Sequence, residues 1–352
     1  DQELGFRVQI DDAQLAWDDW QEAFEVRTLG VHVYDDEGNQ ILSAHEVVLE
    51  MSMPPLVRGE LRPRSVTLVR PWVTAVRGAD GTMIFALMDT FGSEEEPASR
   101  PNPIVDEAST FRGRDLVDGF LAAGSEAPFD RLEDVLILGA DLWVDDRLLD
   151  VMWNAPAATI AVRRLDHGLS IETQLVLQTE GHTLDADISA VYLAESREVS
   201  ISCLLSDFAL NGVSDLVPQL PDLGGVDVVA DVHLELLFDR DLELLYGSFL
   251  IDAQAGRIDL PAVFEEAFDI GPSLAQGSLR PGFSGLEVTD LELDLGIEEV
   301  HARIVLDGFT LDANLDALFD IAGLPIGDLS RYWPVPVVKT ARGWILEHVS
   351  SG

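Results

Sequence analysis

The stretch from Gly225 to Asp239, GVDVVADVHLELLFD, constrains the fold more than any other part of this chain. Val226, Val228, Ala230, Val232, Leu234, Leu236 and Phe238 share one parity. Asp227, Asp231, His233, Glu235 and Asp239 share the other, with Val229 and Leu237 as exceptions. A period of two sends the first set to one face of a strand and the second to the opposite face. Fifteen residues at ~3.4 Å each would make a strand ~50 Å long. The same design, oily on one side and acidic on the other, recurs through much of the chain. The functional question is therefore what covers the oily side.

The polar side is strongly acidic. Sixty-four Asp and Glu stand against 22 Lys and Arg, for a formal charge of −42, and Lys339 is the single lysine. Such a field repels phosphate backbones, which argues against nucleic acid as a partner. The acids read as a solvated outer face; recognition of a basic partner is the alternative. Hydrophobic residues make up 47% of the 352, ample for a large β domain or two smaller ones. The lone Cys203 excludes an internal disulfide, and its parity with Val199, Ile201 and Leu205 assigns it to packing. No run of ~18 apolar residues occurs. The chain starts at Asp1 without Met or signal peptide and reads as a piece of something longer.

Taken in order, residues 1–88 read as strands: Phe6, Val8 and Ile10 in alternation, then FEVRTLGVHVY, a turn at Gly38-Asn39, and a return run ended by Pro54-Pro55. Residues 89–109, with Glu94-Glu95-Glu96 and three prolines, read as a linker. Thr110–Ala123 has helical spacing. From Leu132 to Leu311 strands return with short turns, which predicts an antiparallel meander. Ile171, Leu175 and Leu177 make one apolar face, and Leu184 and Ile188 the next. Leu286 and Val288 hand over to Leu291, Leu293 and Leu295 across a parity change at Thr289-Asp290 that a β-bulge would explain. Short helices are expected at Leu260–Phe268, at Leu315–Ile321, and in a C-terminal amphipathic segment over 338–352.

The motifs that carry common chemistries are missing: no HExxH, CxxC, Walker loop, GxGxxG or GxSxG occurs. No two histidines stand at i,i+4, and Asp18-Asp19, Asp35-Asp36 and Asp145-Asp146 read as turn or edge acids rather than cation ligands. On these grounds the reading is non-catalytic, with no catalytic residue and no metal site.

Several stretches resemble the AsmA-like superfamily of bacterial envelope proteins, especially its YhdP-type branch. They are DRLEDVLILGADLWVDDRLLDVMWNAPAATIAVRRLDHGLSIETQLVLQ from Asp130 to Gln178, and RYWPVPVVKTARGWILEHVSSG from Arg331 to Gly352. The opening VQIDDAQLAW and the VYDDEGNQILSAHEVVLEMSMPPLVRGELRPRSVTLVRP run resemble its N-terminal module. The family's inner-membrane helix has no counterpart here, which truncation would account for. The resemblance implies a mainly β chain: a long curled antiparallel sheet, open along one side as a hydrophobic gutter, with a few short helices. Its implied layout is an N-terminal β module over 1–88, the linker over 89–109, a groove region over 110–337 and a C-terminal helix over 338–352. It implies a periplasmic segment, anchored to the inner membrane in the full-length protein, that carries phospholipid between inner and outer membranes. No cofactor is implied beyond a bound phospholipid or fatty acid, and other envelope proteins would meet the groove at its ends. The expected groove lining is Ile171, Leu175, Leu177, Leu184, Ile188, Val226, Val228, Val232, Leu234, Leu236, Leu291, Leu293 and Leu295.

From the residues alone the coverings remain open: a sandwich covers an oily face with a second sheet, a barrel with itself, a gutter with ligand. The related TamB-type proteins keep a second function in view, a scaffold that helps assemble outer-membrane proteins through exposed sheet edges.

Overall fold

Period-two patterning becomes strand throughout the computed structural model. It describes residues 6–18, 23–35, 40–52, 62–78, 83–87, 111–112, 131–147, 151–178, 183–212, 223–240, 243–296, 299–308, 314–321, 324–335 and 339–349. Among these the protein is mainly β, with a large sheet, few helices and no closed barrel. Two compact units divide within one strand, β11 (Thr183–Leu193): the first holds residues 1–179 and 187–195, the second 180–186 and 196–352. The expected 89–109 linker lies outside the described residues.

The first unit contains β1 (Phe6–Asp18), β2 (Ala23–Asp35), β3 (Gln40–Ser52), β4 (Pro63–Val69), β5 (Trp72–Arg77), β6 (Met83–Leu87), β7 (Phe111–Arg112), β8 (Asp134–Asp146), β9 (Val151–Leu165) and β10 (Gly168–Gln178). The ladder runs β1-β2-β3-β4-β8-β9-β10, and β5-β6-β7 branches from β8. β8 pairs parallel with both β4 and β5, so the sheet departs from the all-antiparallel meander. The chain after 110 thereby rejoins strands from the first ninety residues. Arg64, just inside β4, reinforces this junction by donating to Glu133 at 2.7 Å, a bond that raises the guanidinium pKa above its ordinary value. Gly139, at φ 62°, occupies the register shift between Ile137 and Ala140, a backbone conformation that costs glycine little. β7 replaces the start of the helix expected at Thr110–Ala123; the rest of that segment lies outside the described residues, as do the Gly38-Asn39 turn and Pro54-Pro55.

The second unit contains β12 (Glu198–Ala209), β13 (Val226–Asp227), β14 (Val229–Phe238), β15 (Leu244–Ala253), β16 (Gly256–Ile258), β17 (Phe268–Ile270), β18 (Ser273–Leu279), β19 (Gly285–Asp294), β20 (Glu299–Asp307) and β21 (Asn314–Ile321), then helices α1 (Leu329–Tyr332) and α2 (Lys339–His348). Its main ladder is antiparallel, β12-β14-β15-β18-β19-β20-β21, and β13-β16-β17 form a small separate sheet.

Three expectations are corrected here. The fifteen-residue strand is two pieces, because β13 pairs with β16 while β14 stays in the main ladder. Leu260–Phe268 forms one turn, closed by Phe264 N–H donating to the Leu260 carbonyl, and then passes into β17. Phe268 gains more by sitting 5% exposed in the core than by continuing a short helix. Leu315–Ile321 is strand β21: its pairing with β20 satisfies backbone groups that a single helical turn would leave open. The C-terminal helix does form, as α2.

Candidate functional site: the apolar sheet faces

Register partners in a ladder share a face, so the pairings can be read as rows crossing the strands. In the second unit one row is Leu205–Val232–Ile251–Ala275–Leu291–Ala302–Phe319. The next is Cys203–Leu234–Phe249–Gly277–Val288–Ile304–Ala317. A third is Ile201–Leu236–Gly247–Leu279–Leu286–Leu306. No polar side chain interrupts these rows. The opposite face carries rows such as Ser202–Glu235–Ser248–Ser278–Glu287. Six inter-strand steps of ~4.8 Å make each full row ~29 Å wide, more than the ~15 Å depth of one bilayer leaflet's hydrocarbon.

The bulge expected at Thr289-Asp290 keeps the rows continuous. Val288 pairs with Ile304 and Leu291 with Ala302, so β19 spends one extra residue and both side chains stay on the apolar face. At Gly277 a Cβ would run into the Glu287 carbonyl and the Phe249 ring. The aromatic ring therefore lies over the glycine and fills the gap in the row.

One end of this face is closed by the protein itself. Val226, Val228, Ala230, Ala253, Phe268 and Ile270 form a core cluster, with Leu210, Leu260, Phe264, Leu295 and Tyr332 packed on it. Phe268 makes edge-on contacts with Phe264 (5.0 Å) and Tyr332 (5.1 Å). Arg331 donates to the Ala267 carbonyl, Val335 N–H to the Val263 carbonyl, and Arg342 pairs with Glu265 at 2.8 Å. Away from this cap the side chains are only half-buried. Leu234, Phe249, Val288 and Ile304 in the second row are all of this kind, as are Ile201, Leu236, Leu279, Leu286 and Leu306 in the third.

The first unit has the same construction. Leu15–Val26–Leu49–Val66–Val135–Val162–Ile171 is one apolar row, from a 69%-exposed Leu15 at β1 through half-buried partners. The neighbouring row, Ala13–Thr28–Val47–Leu68–Ile137–Ile160–Thr173, includes a buried threonine whose hydroxyl donates to the Val47 carbonyl at 3.0 Å. That bond makes the hydroxyl tolerable on an apolar face.

The expected lining residues fall into distinct settings. Val232, Leu234, Leu236 and Leu291 lie in the three rows of the second unit; Val226, Val228 and Leu295 belong to the cap core. Leu293 pairs with Val300. Ile171 lies in the first unit's row, and Leu175 and Leu177 pack on a cluster of Val73, Ala140, Ala155 and Ala158. Leu184 and Ile188 both lie on β11, buried and half-buried respectively.

One ion pair is deeply placed. Asp146 is 2% exposed and held by Arg77 at 3.1 Å, so one of the acidic pairs noted in the sequence is a structural anchor at the end of β8. Sequence spacing did not bring forward Asp290, Glu292 and His301, whose ligand atoms all lie within 4.8 Å of one another. Two acids at i,i+2 with a histidine across a short turn were the available signal. Comparison with protein-family models, curated proteins and solved structures finds no match.

Proposed function

We propose that the apolar rows hold the acyl chains of phospholipids, and that the protein is a non-catalytic, lipid-carrying segment of a bacterial envelope protein of the AsmA-like kind. In this reading the sheet curls into a gutter in the periplasm, and a part of the protein outside this sequence anchors it to the inner membrane. The observation that carries the proposal is the run of half-buried apolar side chains in the second and third rows, continuous in register across the second unit beyond the Phe268 cluster. Covering each acyl CH₂ contributes ~0.8 kcal/mol, so sixteen carbons would gain ~13 kcal/mol before the entropic costs of binding. Rows of similar aliphatic groups also permit movement, since a sliding chain exchanges like contacts for like. The acidic outer face keeps such an open sheet soluble and discourages face-to-face association.

The test is mass spectrometry of solvent extracts from the purified protein. Phospholipid is expected in the wild type and is depleted in Leu234→Asp, with strand content by circular dichroism unchanged. Absence of lipid from the wild type, or equal lipid in a folded Leu234→Asp protein, removes the proposal.

A second reading, a scaffold for outer-membrane protein assembly, is favoured by the outer strands. β21 carries Leu318 at 72% and Phe319 at 49% exposure on its two faces, and β1 carries Ile10 at 44% and Leu15 at 69%. Each has a single partner among the described pairings, which leaves backbone groups able to accept another strand. Site-specific crosslinking from Leu318 to a client strand, in a protein free of lipid, would select this reading.

A further inference from the structure

The β19–β20 hairpin brings together a ligand set on the acidic face of the second unit. Period-two alternation after the bulge places Asp290 and Glu292 on the face opposite Leu291, and register places His301 directly across from Glu292. One donor atom from each of the three lies within 4.8 Å of both others, a spacing that one metal ion can bridge. Asp290 is half-buried, while Glu292 and His301 are exposed, so an ion can reach them from solvent.

We propose that Asp290, Glu292 and His301 bind a divalent transition-metal ion, with Zn²⁺ as the chemical type. An imidazole with two carboxylates suits Zn²⁺ better than Ca²⁺ or Mg²⁺, which take oxygen ligands in larger number. Three protein ligands leave room for water or one further donor. Asp320, the register partner of His301 on β21, supplies another carboxylate beside the site. The surplus of acids over the whole chain raises the local concentration of divalent cations. Bound there, the ion ties β19 to β20 beside the bulge and offsets two of the carboxylates. This site lies on the face opposite the apolar rows and does not rest on the lipid reading.

Zn²⁺ titration of the full chain by calorimetry, in excess Mg²⁺ to occupy scattered carboxylates, tests the site. One tight equivalent is expected above a weak background. His301→Ala and Glu292→Gln should each weaken it by about tenfold or more, whereas Glu235→Gln, elsewhere on the same face, should not. Co²⁺ in place of Zn²⁺ should give a visible ligand-field band that His301→Ala abolishes, with circular dichroism confirming that the variant is folded. Identical titrations for wild type and folded His301→Ala, or a Co²⁺ spectrum no different from the free ion, overturn the assignment.

Discussion

Val228 and Leu234 obey the same alternation in the same stretch of sequence, yet they live in different environments. Val228 is 3% exposed, enclosed by Phe268, Ile270 and their neighbours. Leu234 is half-buried, in a row outside that cluster. The contrast teaches that an apolar strand face is a requirement for cover, with no information about what supplies it. At one end the cover is a folded-back strand, a turn and α1; along the rows we assign it to lipid.

The sharpest way to break this comparison is to cut into both ends. Phe268→Ala should destabilise the second unit by about 3–5 kcal/mol, because it removes a buried ring and leaves a cavity between Phe264 and Tyr332. Leu236→Ala, in the third row, should cost about 1–2 kcal/mol, below the usual range for a fully buried leucine. Denaturant melts of lipid-free protein compare the two. Equal losses would mean that the rows are as well packed as the cap, and the lipid proposal would lose its support.

Both environments were half legible in the sequence. Alternation named the apolar faces of β14, β10 and β19, and the parity change at Thr289-Asp290 located a bulge that the register bears out. It could not reveal that Val226 leaves the main ladder for β16, since that depends on a partner strand some thirty residues away. The helical readings at Leu260 and Leu315 failed for a related reason: short amphipathic segments fit either period, and tertiary pairing decides. The same holds for Asp290, Glu292 and His301, whose proximity is a product of strand register.

A subtler probe of the rows is Gly277. Gly277→Val places a branched side chain against the Glu287 carbonyl and beneath the Phe249 ring. The carbonyl belongs to the backbone, so the strand must shift along with the ring, at a cost of about 3 kcal/mol. Resonances from the cap should neither shift nor broaden, so NMR of Phe249 and Tyr332 separates a local lesion in the row from general loosening. Movement of both would show that cap and rows act as one packed body.

The smallest expected effects come from two arginines that bracket the same contrast. Arg342 belongs to the cap: its side chain is 13% exposed, pairs with Glu265 and donates to the Ser330 carbonyl. Arg303 belongs to the acidic face, where it pairs with Glu287 while 63% exposed. Arg342→Ala should cost about 1 kcal/mol, since a sheltered guanidinium loses both a carboxylate and a backbone acceptor. Arg303→Ala should fall within about 0.5 kcal/mol, because water and salt already screen that pair. The difference should be read at two salt concentrations. High salt should shrink the Arg303 effect further and leave most of the Arg342 effect, whose bond to Ser330 is partly buried. An Arg342 effect that vanishes in salt would place that guanidinium in solvent, outside the shelter of the Phe268 core.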